Sequence, residues 1–273
     1  MSVQHPLTPL AMVQSFSAHK HLLWELIKRD FIGRYKGSII GVAWSFFNPV
    51  FMLTVYTFVF SVVFKARWNT GSDSKTEFAL VLFAGLIVFN LFAECFNRAP
   101  SIIITNVNYV KKVVFPLEIF PMIALGSAMF HAGISFSVWL IAYFIFFGVP
   151  HLTILLLPLV VLPLLLLIMG LSWGLAALGV YLRDASQFIG LITTVLMFLS
   201  PIFYPTSALP EKYRHLLLLN PLSYPIEQVR AVLFFGIVPD MKVLLIYLLF
   251  TLLVAWFGFV FFQKTRNGFA DVL

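Results

Sequence analysis

Charge and cysteine are scarce in this chain of 273 residues. Acidic and basic residues make up 11% of it, whereas soluble domains carry roughly 25%, and 61% of its residues are hydrophobic. A chain this apolar cannot hide its surface in one core, which excludes a soluble domain, a disordered chain and a nucleic-acid-binding module. The single cysteine, Cys95, excludes an internal disulfide framework. The composition therefore predicts that the solvent of this protein is lipid.

Motifs for nucleotide binding and catalysis are absent as well. No glycine is followed by lysine, which excludes a P-loop, and the chain contains no HExxH, cysteine pair or G-x-G-x-x-G pattern. Residues 170–174 match the G-x-S-x-G string of serine hydrolases, but they lie inside an apolar block, where Gly170 and Gly174 favour close helix packing. We therefore predict a protein that is not an enzyme and binds no cofactor or metal. If ATP drives it, another chain must bind the ATP and its magnesium.

Six apolar blocks are long enough to cross a membrane. A transmembrane helix needs about 20 mostly apolar residues to cross a hydrocarbon core of roughly 30 Å. The blocks cover residues 39–64, 78–96, 122–147, 154–182, 185–203 and 243–262. We therefore predict an all-α integral membrane protein with six spans, in which residues 1–36 form an N-terminal segment and residues 37–273 the transmembrane domain.

Membrane orientation explains the net charge of +7 better than nucleic acid does. If both termini are cytoplasmic, the inner segments hold eleven lysines and arginines and the outer segments hold seven. Cytoplasmic loops carry such an excess of positive charge. No cleavable apolar region precedes the first block, so the N-terminus does not resemble a signal peptide. We predict a multi-pass protein with both termini in the cytoplasm.

Two segments outside the six blocks also favour helices. Residues 19–35 gather apolar side chains on one face, as a helix lying in the membrane interface does, although a packed cytoplasmic helix has the same pattern. Residues 204–241 contain two apolar runs, 215–219 and 231–238, that are too short to cross, and prolines divide the segment. For this segment we predict short outer helices that re-enter the outer leaflet.

Two ionisable residues, Glu94 and His131, lie inside the blocks, where charge is expensive. Glu94 is near the inner end of its span, so reaching the interface or pairing with Arg98 is the favoured interpretation. For His131, a neutral imidazole bonded to a neighbouring helix is favoured over a proton relay. Ion-coupled carriers bury several carboxylates and break their helices near the midplane, and neither feature is clear here.

The start of the first block combines glycine with positive charge. Gly33, Gly37 and Gly41 recur every four residues, which predicts a smooth helical stripe for close backbone contact. Arg34 and Lys36 can meet anionic lipid headgroups. Ordinary interfacial anchoring explains this pattern as well.

The inner connection, residues 97–121, is long for a link between adjacent helices and alternates apolar with charged groups. A short helix that docks in a groove of a partner has this character. A solvated basic loop is the alternative, but Val113, Val114 and Phe115 argue against full solvation.

The first block also carries a cluster of aromatic residues. Trp44, Phe47, Phe51 and Phe58 fall within about 60° on a helical wheel of 3.6 residues per turn, and Tyr56 adds a hydroxyl on another side. Aromatic rings can stack on the C–H faces of sugars while the sugar hydroxyls remain hydrated. Phenylalanine facing lipid is an equally good interpretation of any one residue, so only the cluster has weight.

Four motifs in order give the chain a resemblance to a known family. Residues 34–44 match R-Y-K-x-S-x-L-G-x-x-W with Ile40 in the leucine position, and residues 111–118 match K-K-x-x-F-P-x-E. Arg183-Asp184 follows, and residues 200–205 match T-P-I-x-Y-P with Ser200 in the threonine position. The chain resembles the membrane subunits of ABC-2 type polysaccharide exporters, which move O-antigen, capsular polysaccharide and teichoic acid.

The resemblance implies a role for each motif. It implies a homodimer in the bacterial inner membrane with two separate ATPase subunits, which exports a lipid-linked polysaccharide, with O-antigen favoured. Residues implied to couple to the ATPase are Asn108, Tyr109, Lys111, Lys112, Phe115, Glu118, Arg183 and Asp184. Residues implied along the substrate path are Trp44, Phe47, Phe51, Tyr56 and Phe58. Arg34, Tyr35 and Lys36 are implied to meet the lipid pyrophosphate, and Tyr204 and Pro205 to form an outer gate.

Other functions stay open at this point. An exporter of drugs or small lipids would share the topology and the ATPase, but the motif at the start of the first block speaks against it. A membrane-embedded glycosyl- or acyltransferase needs grouped acidic or histidine residues, and Glu211, Glu227 and Asp240 show no convincing grouping. A non-catalytic assembly protein is a further alternative.

Overall fold

The computed structural model describes residues 7–59, 75–112, 114–208 and 210–273, and within these ranges it consists of helices, turns and loops without a β-strand. Its α-helices are α1 (Pro9–Ala18), α2 (Lys20–Gly33), α3 (Trp44–Tyr56), α4 (Lys75–Arg98), α5 (Val107–Lys111), α6 (Ile119–Phe147), α7 (Leu157–Tyr181), α8 (Ala185–Leu199), α9 (Glu211–Leu219), α10 (Ser223–Arg230), α11 (Met241–Thr265) and α12 (Phe269–Val272). The predicted all-α class is thus confirmed. Val113 and the last part of the first predicted span, residues 60–64, lie outside the described ranges.

Five helical stretches in the described part of the chain are long and apolar enough to cross a membrane. They are Gly41–Val59, Thr76–Ser101, Ile119–Phe147, Leu152–Tyr181 and Met241–Val272. The remaining predicted span corresponds to α8, which has 15 residues and ends early because Ser200 is extended before Pro201. At 1.5 Å per residue, α8 is roughly 22 Å long and shorter than the hydrocarbon core.

Helix α4 is the centre of the bundle. It contacts α3, α6, α7, α8 and α10, and 78% of its most apolar stretch is buried. The indole of Trp139, which is fully buried on α6, donates a hydrogen bond of 2.9 Å to the carbonyl oxygen of Leu80. Because other helices pack around α4, its apolar side chains are mostly buried against protein.

Glycine brings α7 and α11 together. A Cβ atom on Gly170 would meet the backbone of Val254 and Ala255, and one on Gly258 would meet the backbone of Gly170. The packing interpretation of the G-x-S-x-G string is therefore right for Gly170. It is wrong for Gly174, since no described atom lies within 4 Å of the place where its Cβ would stand.

Helix α2 lies against α6 with part of its apolar face, while Leu22, Trp24 and Ile32 remain exposed. Leu23 is 2% exposed, and the side chain of Ile27 fills the space beside Gly126 of α6. The ring of Phe31 lies 5.4 Å from that of Phe130, centroid to centroid.

The predicted glycine stripe at the start of the first span is wrong. The chain leaves α2 at Gly33, and Gly37 and Gly41 then adopt φ angles of 91° and 60°. Side chains with a Cβ rarely adopt such left-handed conformations, so these two glycines permit turns. No described atom approaches within 4 Å of a Cβ built on any of the three glycines, so within one copy of the chain no backbone packs closely against them.

Short helices after α8 match the predicted division of residues 204–241. Helices α9 and α10 are followed by a π-helical turn, Ala231–Phe235, which ends at Gly236. Arg230 anchors α10 to the bundle: its Nε donates to the carbonyl oxygen of Val81 at 2.8 Å, and its Nη2 donates to that of Ile202 at 2.7 Å. Its Nη1 donates to the carbonyl oxygen of Pro201. Nothing in the sequence pattern singled out Arg230.

Candidate functional site

A polar cleft of about 350 Å³ opens between α3, α4, α6 and the turn that follows α2. Most of its lining side chains carry hydrogen-bonding groups, namely Arg34, Tyr35, Ser45, Asn48, Tyr56, Asn90, Glu94, His131 and Ser135. Polar and ionisable groups inside a bundle of apolar helices are costly, and they characteristically line a hydrated path or a ligand site. We therefore take this cleft as the candidate functional site.

Charged residues of α2 and α4 hold one side of the cleft. Asp30 and Arg34 are one helical turn apart, as are Glu94 and Arg98 on α4, so two ion pairs form side by side. The guanidinium of Arg98 donates to both carboxylate oxygens of Asp30, at 2.8 and 3.0 Å. Arg34 pairs with Glu94. The predicted pairing of Glu94 with Arg98 is therefore wrong, because Asp30 already engages Arg98.

His131 connects this charged pair to the aromatic lining. Its Nδ1 lies 3.1 Å from a carboxylate oxygen of Glu94, and its Nε2 lies 3.0 Å from the hydroxyl of Tyr35. The expected bond from His131 to a neighbouring helix is present, with α4 as the neighbour. Arg34, Glu94, His131 and Tyr35 form one network, so movement of the turn after α2 must disturb the cleft.

Asp30 keeps its negative charge at this position. Burial raises the pKa of its carboxyl, but the hydrogen bonds and positive charge of Arg98, with further help from Ser127 and Arg34, outweigh burial and hold the pKa below 3.8. The attachment of α2 to α4 through Asp30 is therefore ionic at neutral pH.

The aromatic residues of α3 divide between two environments. Tyr56 lines the cleft, whereas Trp44, Phe47, Phe51 and Phe58 project from the outer face of α3, where Phe51 is 66% exposed. All four rings of the predicted aromatic cluster are thus exposed in a single copy of the chain. Within a single copy of the chain, the structure does not bring these four rings to Arg34 or Tyr35.

The inner connection forms α5 and a small aromatic cluster. Phe115 packs with Tyr109 and Phe120, with ring centroids 4.7 and 5.1 Å away, so it is half-buried and does not project freely. In contrast, Lys111 and Lys112 are exposed. Asn108, Val114, Arg183 and Asp184 are exposed as well.

Glu118 does not lie on the surface where the resemblance implies a partner contact. It is 8% exposed and pairs with Arg266 at 2.7 Å, while a second nitrogen of Arg266 donates to the carbonyl oxygen of Phe115 at 2.9 Å. Arg266, which the sequence analysis missed, ties the inner connection to the end of α11. Tyr181, two residues before Arg183, donates to the carbonyl oxygen of Thr265. The two predicted coupling regions, residues 108–118 and 183–184, therefore lie at the same end of the bundle.

The residues predicted for the outer gate lie in the loop after α8. The hydroxyl of Tyr204 donates to the carbonyl oxygen of Phe198 at 3.2 Å, and Pro205 is half-buried beside it. Burial raises the pKa of Tyr204, so this hydroxyl remains a neutral donor at physiological pH.

A helical bundle with several membrane-crossing helices, a polar cleft at one side and basic residues at one end defines a multi-pass membrane protein of the transport class. The chain belongs to the ABC-2 type transporter family, whose model matches residues 21–234. The resemblance found in the motifs is confirmed, and the protein is a bacterial transporter permease.

Relatives match almost the entire chain. The O-antigen export system permease protein RfbA of Myxococcus xanthus is 26% identical over 264 residues, which cover 96% of this chain and 99% of the relative. The protein of the same name from Klebsiella pneumoniae is 26% identical over 255 residues, 92% of this chain and 95% of the relative. The polysialic acid transport protein KpsM of Escherichia coli is 24% identical over 260 residues, 93% of this chain and 96% of the relative.

Proposed function

We propose that this permease exports a lipid-linked polysaccharide, with O-antigen as the favoured class, from the cytoplasm across the inner membrane. The named roles of its relatives support a polysaccharide substrate, and their alignment over nearly the full chain supports transfer of the role as a whole. Capsular polysaccharide, teichoic acid and small lipids or drugs are the alternatives that an experiment must separate.

The observation that carries this proposal is the polar cleft beside the aromatic face of α3. Arg34 presents a guanidinium at the cleft, and guanidinium groups bind phosphate oxygens with two parallel hydrogen bonds. The carboxylate of Glu94 pairs with Arg34, and a phosphate oxygen of the lipid carrier would take its place when substrate binds. Tyr35 and Lys36 adjoin the same turn and complete the proposed pyrophosphate site.

The sugar chain would then follow the aromatic surface of α3. Trp44, Phe47, Phe51 and Phe58 offer ring faces for sugar C–H groups, and Tyr56 connects this surface with the cleft. Only 6% of the most apolar stretch of this span is buried, so a single copy leaves the surface open. A homodimer that encloses a channel between two copies of α3 accounts for this exposure.

We further propose that six spans, with α8 as the short fifth, cross the membrane among its lipids. Both termini then lie in the cytoplasm. In this topology α9 and α10 re-enter the outer leaflet, with Tyr204 and Pro205 at the gate. Residues 1–36 lie at the inner face and residues 37–273 form the transmembrane domain.

Two separate ATPase subunits would supply the energy, because this sequence has no P-loop. The exposed residues Asn108, Lys111, Lys112, Arg183 and Asp184 form the proposed contact. Tyr109, Phe115 and Glu118 support that surface from within. ATP and magnesium would bind the partner alone, and no nucleic acid is involved.

Reconstitution tests the proposal. The chain and its ATPase, in vesicles that contain a glycan linked to a lipid pyrophosphate, should move glycan across the bilayer only when ATP is supplied. Lys112→Asp should abolish both transport and co-purification, whereas Lys20→Asp, at another exposed lysine, should leave both intact. Arg34→Gln should retain the complex but lose transport. Transport of a small lipid but of no glycan would contradict the proposal.

A further inference from the structure

A second cleft, of about 460 Å³, lies between α9, α10 and the first turns of α11. It is at the end of the bundle opposite to α5 and α12, and none of its lining residues lines the cleft of Arg34. Six of its side chains carry its chemistry: Arg214, Ser223, Tyr224, Glu227, Tyr247 and Phe250.

Two consecutive residues that line this cleft carry hydroxyl groups without a hydrogen-bond partner among the described residues. The Oγ of Ser223 and the Oη of Tyr224 are both buried, and Ser223 as a whole is only 7% exposed. Buried hydroxyls in folded proteins are nearly always paired. Both belong to residues that line the cleft, so a ligand with hydroxyl groups would satisfy hydrogen-bonding capacity that the described residues leave unused.

Aromatic rings form one wall of the same cleft. The ring centroids of Tyr224 and Tyr247 are 4.9 Å apart, and that of Phe250 lies 6.5 Å from Tyr247. The hydroxyl of Tyr247 donates to the carbonyl oxygen of Pro221 at 2.8 Å, so the protein itself fixes the orientation of this ring. Such a wall offers apolar faces of the size of a sugar ring.

The charges of the cleft argue against an anionic ligand. Glu227 contributes a carboxylate and Arg214 a guanidinium, one group of which donates to the carbonyl oxygen of Ser207 at 3.3 Å. Opposite charges in one cleft give no net attraction for a phosphate. A neutral molecule with several hydroxyls fits both groups, since it can donate to Glu227 and accept from Arg214.

We propose that this cleft is a saccharide-binding subsite for one neutral sugar unit of a glycan. Its polar groups take the hydroxyls of the sugar, and its aromatic wall takes the C–H face. The inference deepens the proposed export function, and it rests on that function for the claim that the sugar belongs to the exported chain. Binding at this end would hold the emerging glycan and disfavour its return.

Sugar binding can be measured without transport. The probes are the methyl glycosides of mannose, galactose, glucose and rhamnose, with the full chain in nanodiscs and saturation-transfer NMR as the readout. We expect transfer to at least one glycoside, strongest at its C–H protons. Tyr224→Phe and Glu227→Gln should each weaken that binding about tenfold, the effect of losing one good hydrogen bond.

The melting temperature separates binding from folding. Tyr224→Phe keeps the ring and removes an unpaired hydroxyl, so its melting temperature should equal or exceed that of the wild type. Tyr181→Phe, the matched control at the other end, removes a hydroxyl that donates to Thr265 and should leave sugar binding unchanged.

Three outcomes would overturn the subsite. They are absence of transfer to all four glycosides, transfer that survives both cleft variants, and binding of glycerol phosphate in place of sugars, which would indicate a lipid headgroup site. Loss of transport in the reconstituted system with sugar binding intact would instead refute the export proposal and leave the saccharide cleft standing.

Discussion

Helices α3 and α4 are consecutive apolar spans, yet they occupy opposite environments. Of the most apolar stretch in each, 6% is buried for the span of α3 and 78% for that of α4. Lipid tails are as apolar as leucine, so hydropathy marks a membrane passage without telling which helix lies at the centre of the bundle. What separates the two helices is the set of polar contacts that each one receives.

Polar groups from three other helices attach to α4. Trp139 of α6 and Arg230 of α10 donate to carbonyl oxygens in its N-terminal half, and Asp30 of α2 pairs with Arg98 at its C-terminal end. Helix α3 packs against its neighbours over less of its surface. Ser45 is its one buried residue, and its aromatic face is exposed. The comparison therefore predicts that substitutions around α4 affect folding, whereas those on α3 affect function.

Among substitutions of polar side chains, the largest effect is expected from Arg230→Leu. This change leaves the carbonyl oxygens of Pro201 and Ile202 without their donor and removes a second hydrogen bond from that of Val81. At about 1–3 kcal/mol for each unsatisfied group, the free energy of unfolding should fall by about 3 kcal/mol or more. Thermal unfolding in nanodiscs measures this, with Arg230→Lys as a control that restores part of the loss. An unchanged melting temperature would contradict the central position of α4.

A smaller effect is expected from Glu94→Gln. The change removes the charge that pairs with Arg34 and with His131, at a cost of about 1–3 kcal/mol for charged hydrogen bonds. Arg34 then loses its nearest charged partner and keeps only the more distant carboxylate of Asp30, at 3.6 Å, so half-maximal stimulation of the ATPase should need less of the lipid-pyrophosphate-linked glycan. Asp30→Asn, which loosens α2 but leaves Arg34 paired with Glu94, is the control. Equal glycan requirement in the wild type and Glu94→Gln would show that Glu94 does not compete with the substrate.

The ionic attachment of α2 should respond to acid in a defined direction. The pKa of Asp30 is held below 3.8 in the folded protein, so its pairing with Arg98 stabilises the fold at neutral pH and is lost only as the pH falls through that lowered pKa. At pH 7 Asp30→Asn should therefore be less stable than the wild type by about 1 kcal/mol, with a lower melting temperature. Below pH 3.8 the two melting temperatures should approach each other. If the difference between the two melting temperatures stayed constant from pH 7 to pH 3, the charge of Asp30 would not stabilise the attachment of α2.

The helices and the family were predictable from the sequence because each depends on neighbouring residues. Apolar runs marked all five long spans, and contiguous motifs such as residues 111–118 carried the resemblance. The length of α8 was overestimated, although Pro201 marked its end.

Partner choice across the bundle was not predictable in the same way. Asp30 and Arg98 are 68 residues apart, so only the fold decides that Arg98 binds Asp30 and leaves Glu94 to Arg34. The spacing of Asp30 with Arg34, and of Glu94 with Arg98, was a signal for paired charges that the sequence analysis did not use. The glycine stripe failed for a related reason, because spacing of four describes a helix only if the chain stays helical, and positive φ at Gly37 and Gly41 ends it.

The smallest effect on stability is expected from Phe51→Ala, and its buried counterpart Phe92→Ala makes this the sharpest test of the comparison. Phe92 on α4 is 1% exposed and Phe51 on α3 is 66% exposed. Phe92→Ala should cost about 3–5 kcal/mol through the cavity it leaves, whereas Phe51→Ala should change stability by less than about 0.5 kcal/mol. If α3 forms the sugar path, Phe51→Ala should nevertheless slow glycan transport in reconstituted vesicles without changing ATPase binding. A loss of stability in Phe51→Ala equal to that in Phe92→Ala would mean that a second copy covers α3, and the aromatic face would then be an interface and not a path.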